Sequence, residues 1–249
     1  MKIILSVLIY IVIIFSTTQV AAKTLEVVTL QYPPFEYLEN GKLKGVVVEI
    51  VQEVFRRMQQ PINISLLPWA RSIKMIENGT ADAIFTIYKT PEREVFADYS
   101  QEVLMPQVVS FFVLKDSPVT FDGDLGKLSN YLIGAVWKIS YGKIFDEALD
   151  NKKIKTINLA YTGEINIDML LHKRFDILVS NKYGALYVLK NKGLMDQVKE
   201  LSPEIENVPS YIAFSKKRNL VSIRDKFDEI LVEMKKDGTY NRITNSYFK

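Results

Sequence analysis

Ala83-Ile84-Phe85-Thr86-Ile87-Tyr88-Lys89-Thr90-Pro91-Glu92-Arg93 is a short apolar run that opens into a polar segment. The run is rich in Ile, Phe and Thr, which predicts a buried strand. Open α/β sheets form their ligand crevices just beyond such strand ends, and an arginine there presents a planar fork of donors that matches a carboxylate. The segment alone leaves an equal alternative, a surface loop in which Arg93 pairs with Glu92, Glu94 or Asp98.

The chain before this stretch alternates strand and helix patterns. Leu25 to Leu30 and Ile62 to Leu67 have the composition of strands, and the apolar residues between Val47 and Met58 form one stripe of an amphipathic helix. A second helix is predicted from Trp69 to Glu77, where Asn78-Gly79 supplies a C-terminal cap. The resulting order, β-α-β-α-β with short connections, is typical of a parallel doubly wound sheet.

The chain after Ser100 repeats this alternation. Strands and helices are predicted in turn from Leu132 to Leu201, including a helix from Ser140 to Leu149, and a last strand leads into C-terminal helices. We therefore predict an α/β protein with two lobes, each a doubly wound, mostly parallel sheet flanked by helices. The predicted divisions are residues 23–112 and 209–249 for the first lobe and residues 113–208 for the second. Two such lobes can close over a ligand by a hinge.

The N-terminus has the pattern of a secretory signal peptide. Met1-Lys2 precedes an apolar run from Ile3 to Phe15, and small residues follow up to Ala22. The run is shorter than the about 20 apolar residues that span a bilayer, which disfavours the alternative of a membrane anchor. The chain also has no cysteine to carry a lipid after the signal. We predict removal of residues 1–22 and release, without lipidation, into the periplasm of a Gram-negative cell.

Composition excludes several classes of function. Lys and Arg number 32 and Asp and Glu 29, and the net charge falls from +3 to +2 once Lys2 is removed. A surface this balanced gives no electrostatic basis for binding nucleic acid. With His172 as the single histidine and no cysteine, thiol catalysis and zinc sites of the usual composition are excluded. The sequence contains no phosphate-binding loop and no dinucleotide fingerprint, so no cofactor is predicted.

Aromatic side chains follow several of the predicted strands. They include Tyr32, Trp69, Tyr88, Tyr141 and Tyr183. In a doubly wound fold the carboxyl ends of the strands face the crevice. Tyr and Trp combine an apolar body with a polar tip, which suits the wall of a wet ligand cleft. These residues are therefore candidates for a ligand site, with ordinary core positions as the alternative.

The motifs of this chain, taken in order, resemble the extracellular solute-binding proteins of family 3, which serve polar amino acid ABC transporters. The resemblance rests on Tyr32-Pro33-Pro34-Phe35-Glu36, Trp69-x-Arg71, Asn78 to Ala83, Thr90-Pro91-Glu92-Arg93, Phe96-x-Asp98-Tyr99-Ser100, Ser140-Tyr141-Gly142, Arg174-Phe175-Asp176 and Asp237-Gly238-Thr239-Tyr240. It covers nearly the whole mature chain. It implies the type II periplasmic-binding-protein fold, also called the Venus flytrap.

The resemblance also implies roles for individual residues. Arg93 would hold the α-carboxylate of the ligand, with help from Ser140 and from backbone donors at the following helix N-terminus. Tyr32 and Trp69 would wall the side-chain pocket, and Thr86 would offer polar contacts. The predicted ligand-binding residues are Arg93, Tyr32, Trp69, Arg71, Thr86, Tyr88, Ser140, Tyr141, Asn181 and Tyr183.

The chain departs from the family pattern within this site. Asn181 stands where many members carry the aspartate that binds the α-ammonium, and asparagine brings no charge. Tyr88 stands where a small hydroxyl residue is common, and Lys138 and Ile139 replace the usual Gly and Thr. Lys138 either meets a second anionic group or is a surface lysine. The carboxylate clamp is kept, while the α-amino part of the ligand is left open.

Three hypotheses of function follow. The leading one is a monomeric binding protein, not an enzyme, that captures a small carboxylate-bearing solute, an amino acid or a relative, and delivers it to an inner-membrane ABC permease. The second is an enzyme like the cyclohexadienyl dehydratases of similar fold, for which Glu36 is the candidate acid/base group. The third is a module that senses a ligand and reports it to a membrane receptor through a partner.

Overall fold

Strands and helices alternate along the chain in the computed structural model, which describes residues 23–248. The predicted signal peptide, residues 1–22, lies outside the described residues, as does residue 249. The strands are β1 (Leu25–Thr29), β2 (Tyr37–Glu39), β3 (Lys42–Lys44), β4 (Ile62–Leu66), β5 (Ala83–Tyr88), β6 (Ala97–Tyr99), β7 (Met105–Leu114), β8 (Leu132–Val136), β9 (Lys155–Ala160), β10 (Ile177–Asn181), β11 (Val198–Glu200) and β12 (Glu206–Ser215). The α-helices are α1 (Val46–Arg57), α2 (Trp69–Asn78), α3 (Pro91–Glu94), α4 (Lys143–Asp150), α5 (Gly163–Leu171), α6 (Lys182–Asn191), α7 (Val221–Lys236) and α8 (Thr239–Phe248). Within the described residues, none of the helices is long and apolar enough to cross a bilayer.

The main sheet is mixed, and its strands follow the order β4-β1-β5-β12-β7-β10-β8-β9. Strands β4, β1 and β5 run parallel at one end, and β10, β8 and β9 run parallel at the other. We call the first of these ends, together with α1, α2, α3, α7 and α8, the first half. The other end, together with α4, α5 and α6, is the second half. The α/β fold with parallel strands in each half agrees with the prediction.

The two longest strands, β7 and β12, join the halves. Strand β12 pairs antiparallel with β5 through Ser210–Phe214 and with β7 through Glu206–Ser210. Strand β7 in turn pairs with β10. The predicted lobe divisions, after residues 112 and 208, fall inside these two strands. The division into lobes itself stays a prediction.

Helices cover both faces of the sheet in the first half. Successive residues of a strand point to opposite faces. Val27 accordingly belongs to the core under α1, α7 and α8, and Val28 belongs to the core under α2. The first of these cores also contains Phe85 and Phe214, both at most 1% exposed. Full burial of such a side chain stabilises the fold by about 1.5–3 kcal/mol.

The second half has the same layering. Phe111 of β7 packs with Phe145 of α4 on one face of the sheet. Phe112 packs on the other face with Leu170 of α5 and Leu189 of α6. Each half therefore has helices on both sides of its strands, which leaves the strand ends and their loops to form the space between the halves.

The structure corrects the predicted start of one helix. The sequence pattern predicts a helix from Ser140, whereas α4 begins at Lys143 after Gly142, whose φ is 97°. This left-handed conformation suits glycine and prevents the helix from extending to Ser140. Ser140 therefore lies in a loop between β8 and α4.

Candidate functional site

A β-bulge interrupts β5 at Thr86. In the pairing with β12, Phe85 lies opposite Ile212 and Ile87 opposite Tyr211, so Thr86 is the extra residue. Its φ of 62° is uncommon for a β-branched residue. The bulge removes Thr86 from the regular ladder and places it in the lining of a cavity. Backbone strain of this kind clusters at ligand sites.

Arg93 reaches the same cavity from α3, a single turn that follows β5 and has Pro91 near its start. Its Nη1 donates to the carbonyl oxygen of Tyr88 at 3.0 Å. Its guanidinium carbon lies 5.6 Å from the centroid of the Trp69 ring, within cation–π range. Burial lowers the pKa of Arg93 below its usual value. The guanidinium is thus partly removed from water, and a bound anion would stabilise its charge.

Of the three neighbouring acidic residues that could pair with Arg93, Glu94 and Asp98 have other partners, and Glu92 is exposed. Glu94 pairs with Lys89 at 3.0 Å, and Asp98 lies 4.0 Å from Lys216. An arginine carries five N–H donors, so the bond to the Tyr88 carbonyl leaves others for a ligand. This arrangement favours the ligand-binding interpretation of Arg93 over a surface ion pair.

The cavity is lined by residues from both halves of the molecule. Its lining residues are Leu30, Tyr32, Trp69, Thr86, Tyr88, Arg93, Gln107, Ile139 and Ser140. Arg93 is the charged residue of this lining, and aromatic side chains form much of the wall. We call this space the inner cavity. Its composition suits a small anionic solute with an apolar body.

A larger, open groove shares Tyr88, Arg93, Ile139 and Ser140 with the inner cavity. Its lining also includes Asp146, which accepts hydrogen bonds from the Ser140 hydroxyl and, at 3.0 Å, from the backbone N–H of Tyr141. The groove thus gives the inner cavity an opening with charged walls.

Lys138 stands on this groove and is exposed. Its Nζ lies 4.3 Å from the centroid of the Trp137 ring. The position agrees with a surface lysine and does not place its charge in the inner cavity.

The inner cavity brings together most of the predicted site residues, but its lining does not include Arg71, Tyr141, Asn181 or Tyr183. Arg71 is exposed on α2. Tyr141 is 6% exposed, and its hydroxyl accepts from the Val136 N–H at 2.8 Å, which makes it a core residue of the second half. Tyr183 packs against the core of the first half, so it helps to join the halves.

Asn181 is 1% exposed and caps the N-terminus of α6. Its Oδ1 accepts from the Gly184 N–H at 3.0 Å, and its Nδ2 donates to Oε1 of Gln107 at 2.6 Å. Gln107 in turn lines the inner cavity. Asn181 therefore lies behind the cavity wall and is connected to it by its hydrogen bond to Gln107.

Glu36 lies fully buried behind Thr86. The Thr86 hydroxyl is 2.9 Å from Glu36 Oε2, and Oε1 has no hydrogen-bond partner among the described residues. Burial raises the pKa of Glu36 well above its usual value. Burial therefore favours the protonated form of this carboxyl, which sets no negative charge behind the pocket for an anion.

Glu36→Gln is expected to remove a pH dependence of stability. Because the folded-state pKa is raised, the unfolded chain releases this proton near pH 4.5 while the folded protein keeps it. The stabilising contribution of the carboxyl is therefore complete below that pH and is lost as the pH rises through the folded-state pKa. The free energy of unfolding of Glu36→Gln, relative to that of the wild type, should therefore rise by up to about 1.4 kcal/mol per pH unit over this window. Urea unfolding of both proteins from about pH 5 to 8 measures it, and a difference that is constant with pH would contradict the shifted pKa.

Several residues of the site were not predicted from the sequence. Leu30 and Gln107 line the inner cavity without having been predicted, and Ile139 was noted as a departure from the family pattern alone. A signal existed for Gln107, because it is a polar residue inside the apolar run of β7 and is fully buried. Leu30 gives no such signal, since an apolar residue at a strand end is ordinary.

Known proteins match this chain over nearly its whole described length. A model of the family described as bacterial extracellular solute-binding proteins, family 3, matches residues 25–249. The probable amino-acid-binding protein YxeM of Bacillus subtilis (strain 168) is 26% identical over 223 residues, covering 88% of this chain and 81% of the relative. The putative amino-acid ABC transporter-binding protein PatH of Vibrio harveyi is 26% identical over 240 residues, covering 94% of this chain and 91% of the relative.

A solved structure shows the same fold. The structure of an ancestral arginine-binding protein bound to arginine superposes with a TM-score of 0.79 at 23% identity, covering 92% of this chain and 100% of that chain. At this level of identity the likeness establishes the common architecture alone.

Proposed function

The chain belongs to the bacterial extracellular solute-binding proteins of family 3, and we propose that it captures a small carboxylate-bearing solute, an amino acid or a relative, between its two halves and delivers it to an ABC importer. Relatives named as amino-acid-binding and ABC transporter-binding proteins support this proposal. We further propose that the mature chain acts as a periplasmic monomer whose partner is an inner-membrane permease.

The observation that carries the proposal is the position of Arg93. The guanidinium is partly desolvated, stacks over Trp69 and lies in a cavity lined by residues of both halves. A planar guanidinium binds a carboxylate with two parallel hydrogen bonds, which are among the stronger bonds in proteins. A carboxylate would also supply the opposite charge that a partly buried cation requires.

The lining from both halves supports a closing mechanism. A ligand shifts a conformational equilibrium only by its difference in affinity for the two states. A solute held by Arg93 and Trp69 of the first half and by Ile139 and Ser140 of the second makes its full set of contacts only when the halves are together. Contacts from both halves would therefore favour the closed state when solute is bound.

We propose binding and not catalysis. Glu36, the candidate acid/base group, is fully buried behind Thr86 and is not among the residues that line the inner cavity. A general acid or base must come within hydrogen-bond reach of the reacting atoms. Purified protein is therefore expected to leave prephenate and arogenate unchanged.

Isothermal titration calorimetry tests the proposed function. The protein is unfolded in denaturant, dialysed to remove any solute retained during purification, and refolded before titration. A panel of amino acids and small mono- and dicarboxylic acids should contain at least one compound that binds saturably with 1:1 stoichiometry. Folded protein that binds no carboxylate of the panel would contradict the proposal.

A further inference from the structure

A chain of hydrogen bonds runs behind the inner cavity and fixes the orientation of two side-chain amides. The Ser210 hydroxyl donates to the Met105 carbonyl at 2.7 Å and accepts from Gln107 Nε2 at 3.4 Å. Gln107 Oε1 accepts from Asn181 Nδ2, and Asn181 Oδ1 accepts from the Gly184 N–H. All three side chains are at most 1% exposed.

The backbone groups at the two ends of this network determine which atom donates and which accepts in each of its hydrogen bonds. The Gly184 N–H can only donate, so Asn181 must present Oδ1 to it. The Met105 carbonyl can only accept, so the Ser210 hydroxyl must donate its hydrogen to Met105. Reversal of either amide would place two donors or two acceptors against each other. The acceptor oxygen of Asn181 is therefore used as the helix cap, and the atom it directs at Gln107 is a nitrogen donor.

Among the described residues, the inner cavity also has no negatively charged side chain in its lining. Arg93 is the charged residue of the lining, and burial raises the pKa of Glu36, which lies behind Thr86 and outside the lining. Asp146 lines the outer groove and not the inner cavity; its carboxylate interacts electrostatically with Arg93 and accepts from the Ser140 hydroxyl and the Tyr141 N–H. A bound carboxylate would neutralise Arg93, whereas a zwitterionic amino acid would bring a second cation into an inner cavity whose described lining residues include no carboxylate. Burying an unpaired charge is unfavourable.

We infer that the inner cavity takes a carboxylic acid without an ammonium group beside its carboxylate, such as a 2-oxo, 2-hydroxy or unsubstituted acid, in preference to the corresponding α-amino acid. This inference rests on the proposed carboxylate-binding function and narrows its ligand class. Asn181 is the specificity-determining residue: it gives the wall of the cavity an amide network in place of a negative charge.

Matched ligands test the preference in the wild-type protein. Calorimetry is carried out with L-phenylalanine against 3-phenylpropanoate, L-leucine against 4-methylpentanoate, and L-glutamate against glutarate. In each pair that binds, the acid without the ammonium should bind at least about tenfold more tightly, the factor expected for one unfavourable contact with a charged group. An amino acid that binds as tightly as its partner acid, or more tightly, would overturn this inference alone. Absence of binding by every compound of both kinds would overturn the proposed function together with it.

Asn181→Asp tests the residue itself. Aspartate is as good a helix cap as asparagine, so one oxygen can keep the bond to Gly184 while the other brings a negative charge toward Gln107. The affinity ratio within each pair should move toward the amino acid by about tenfold or more. Asn191→Asp makes the same charge change at the exposed C-terminal end of α6 and should leave the ratio as in the wild type. An unchanged ratio in folded Asn181→Asp would refute the role of Asn181.

Discussion

Arg93→Ala is expected to weaken binding of the carboxylate solute by roughly thirtyfold to several thousandfold, and to do so without unfolding the protein. Removal of one partner of a desolvated, hydrogen-bonded charge pair costs about 2–5 kcal/mol, because the other charge is left buried and unpaired. Stability should be largely kept, since the Tyr88 carbonyl also accepts from the Tyr99 hydroxyl at 3.0 Å and is not left without a partner. Calorimetry with the tightest compound of the panel measures the loss, and circular dichroism checks the fold.

Two further variants separate the shape of the guanidinium from its charge. Arg93→Lys keeps the positive charge but replaces a planar fork by a point charge, so its affinity should fall between those of the wild type and Arg93→Ala. Arg242→Ala removes an exposed arginine of α8 and should bind like the wild type. If Arg93→Ala kept the wild-type affinity, the carboxylate clamp would be wrong even though the fold is right.

The elements that sequence predicted well are those whose signals are local. Helix α2 is an example: its apolar spacing predicts residues Trp69 to Glu77, and the structure has Trp69–Asn78 followed by Gly79 at φ 72°. The start of a helix is less secure, because Ser140 and Gly142 are both plausible before α4 and only the backbone conformation of Gly142 decides between them. Periodicity reports which face of an element is buried, and it says little about the last turn.

The parts of the site that were missed depend on contacts between distant residues. The bulge at Thr86 exists because β5 pairs with β12, and nothing in the composition of β5 reveals that register. Asn181 and Gln107 are separated by 74 residues, and Glu36 and Thr86 by 50. Residue identity predicted that Asn181 lacks a charge, whereas the structure adds that its oxygen is already used. The sequence could therefore propose Arg93 as an anion-binding group, but it could not describe the network behind the cavity.

Gly45→Ala is expected to lower the free energy of unfolding by more than about 3 kcal/mol, as large an effect as a single substitution commonly produces. Gly45 caps α1 at φ 129° and ψ 151°, a conformation that is essentially confined to glycine. A Cβ atom there would lie 2.1 Å from the carbonyl oxygen of Phe35, and that oxygen accepts from the Val47 N–H at 3.0 Å. The turn that carries Tyr32 and Glu36 to the site would have to move. Urea unfolding followed by circular dichroism measures the loss.

Gly41→Ala is the matched control for this substitution. Gly41 also has a positive φ, 75°, but an added Cβ would meet no atom within 4 Å. The control thus carries the backbone cost without the clash, and it should lose only about 1–2 kcal/mol. The two variants should also differ in binding, because a shift of Phe35 displaces Tyr32 from the inner cavity, whereas Gly41 lies in the turn between β2 and β3. Equal losses of stability in the two variants would mean that the turn at Phe35 yields easily, and the rigid placement of Tyr32 would then need another source.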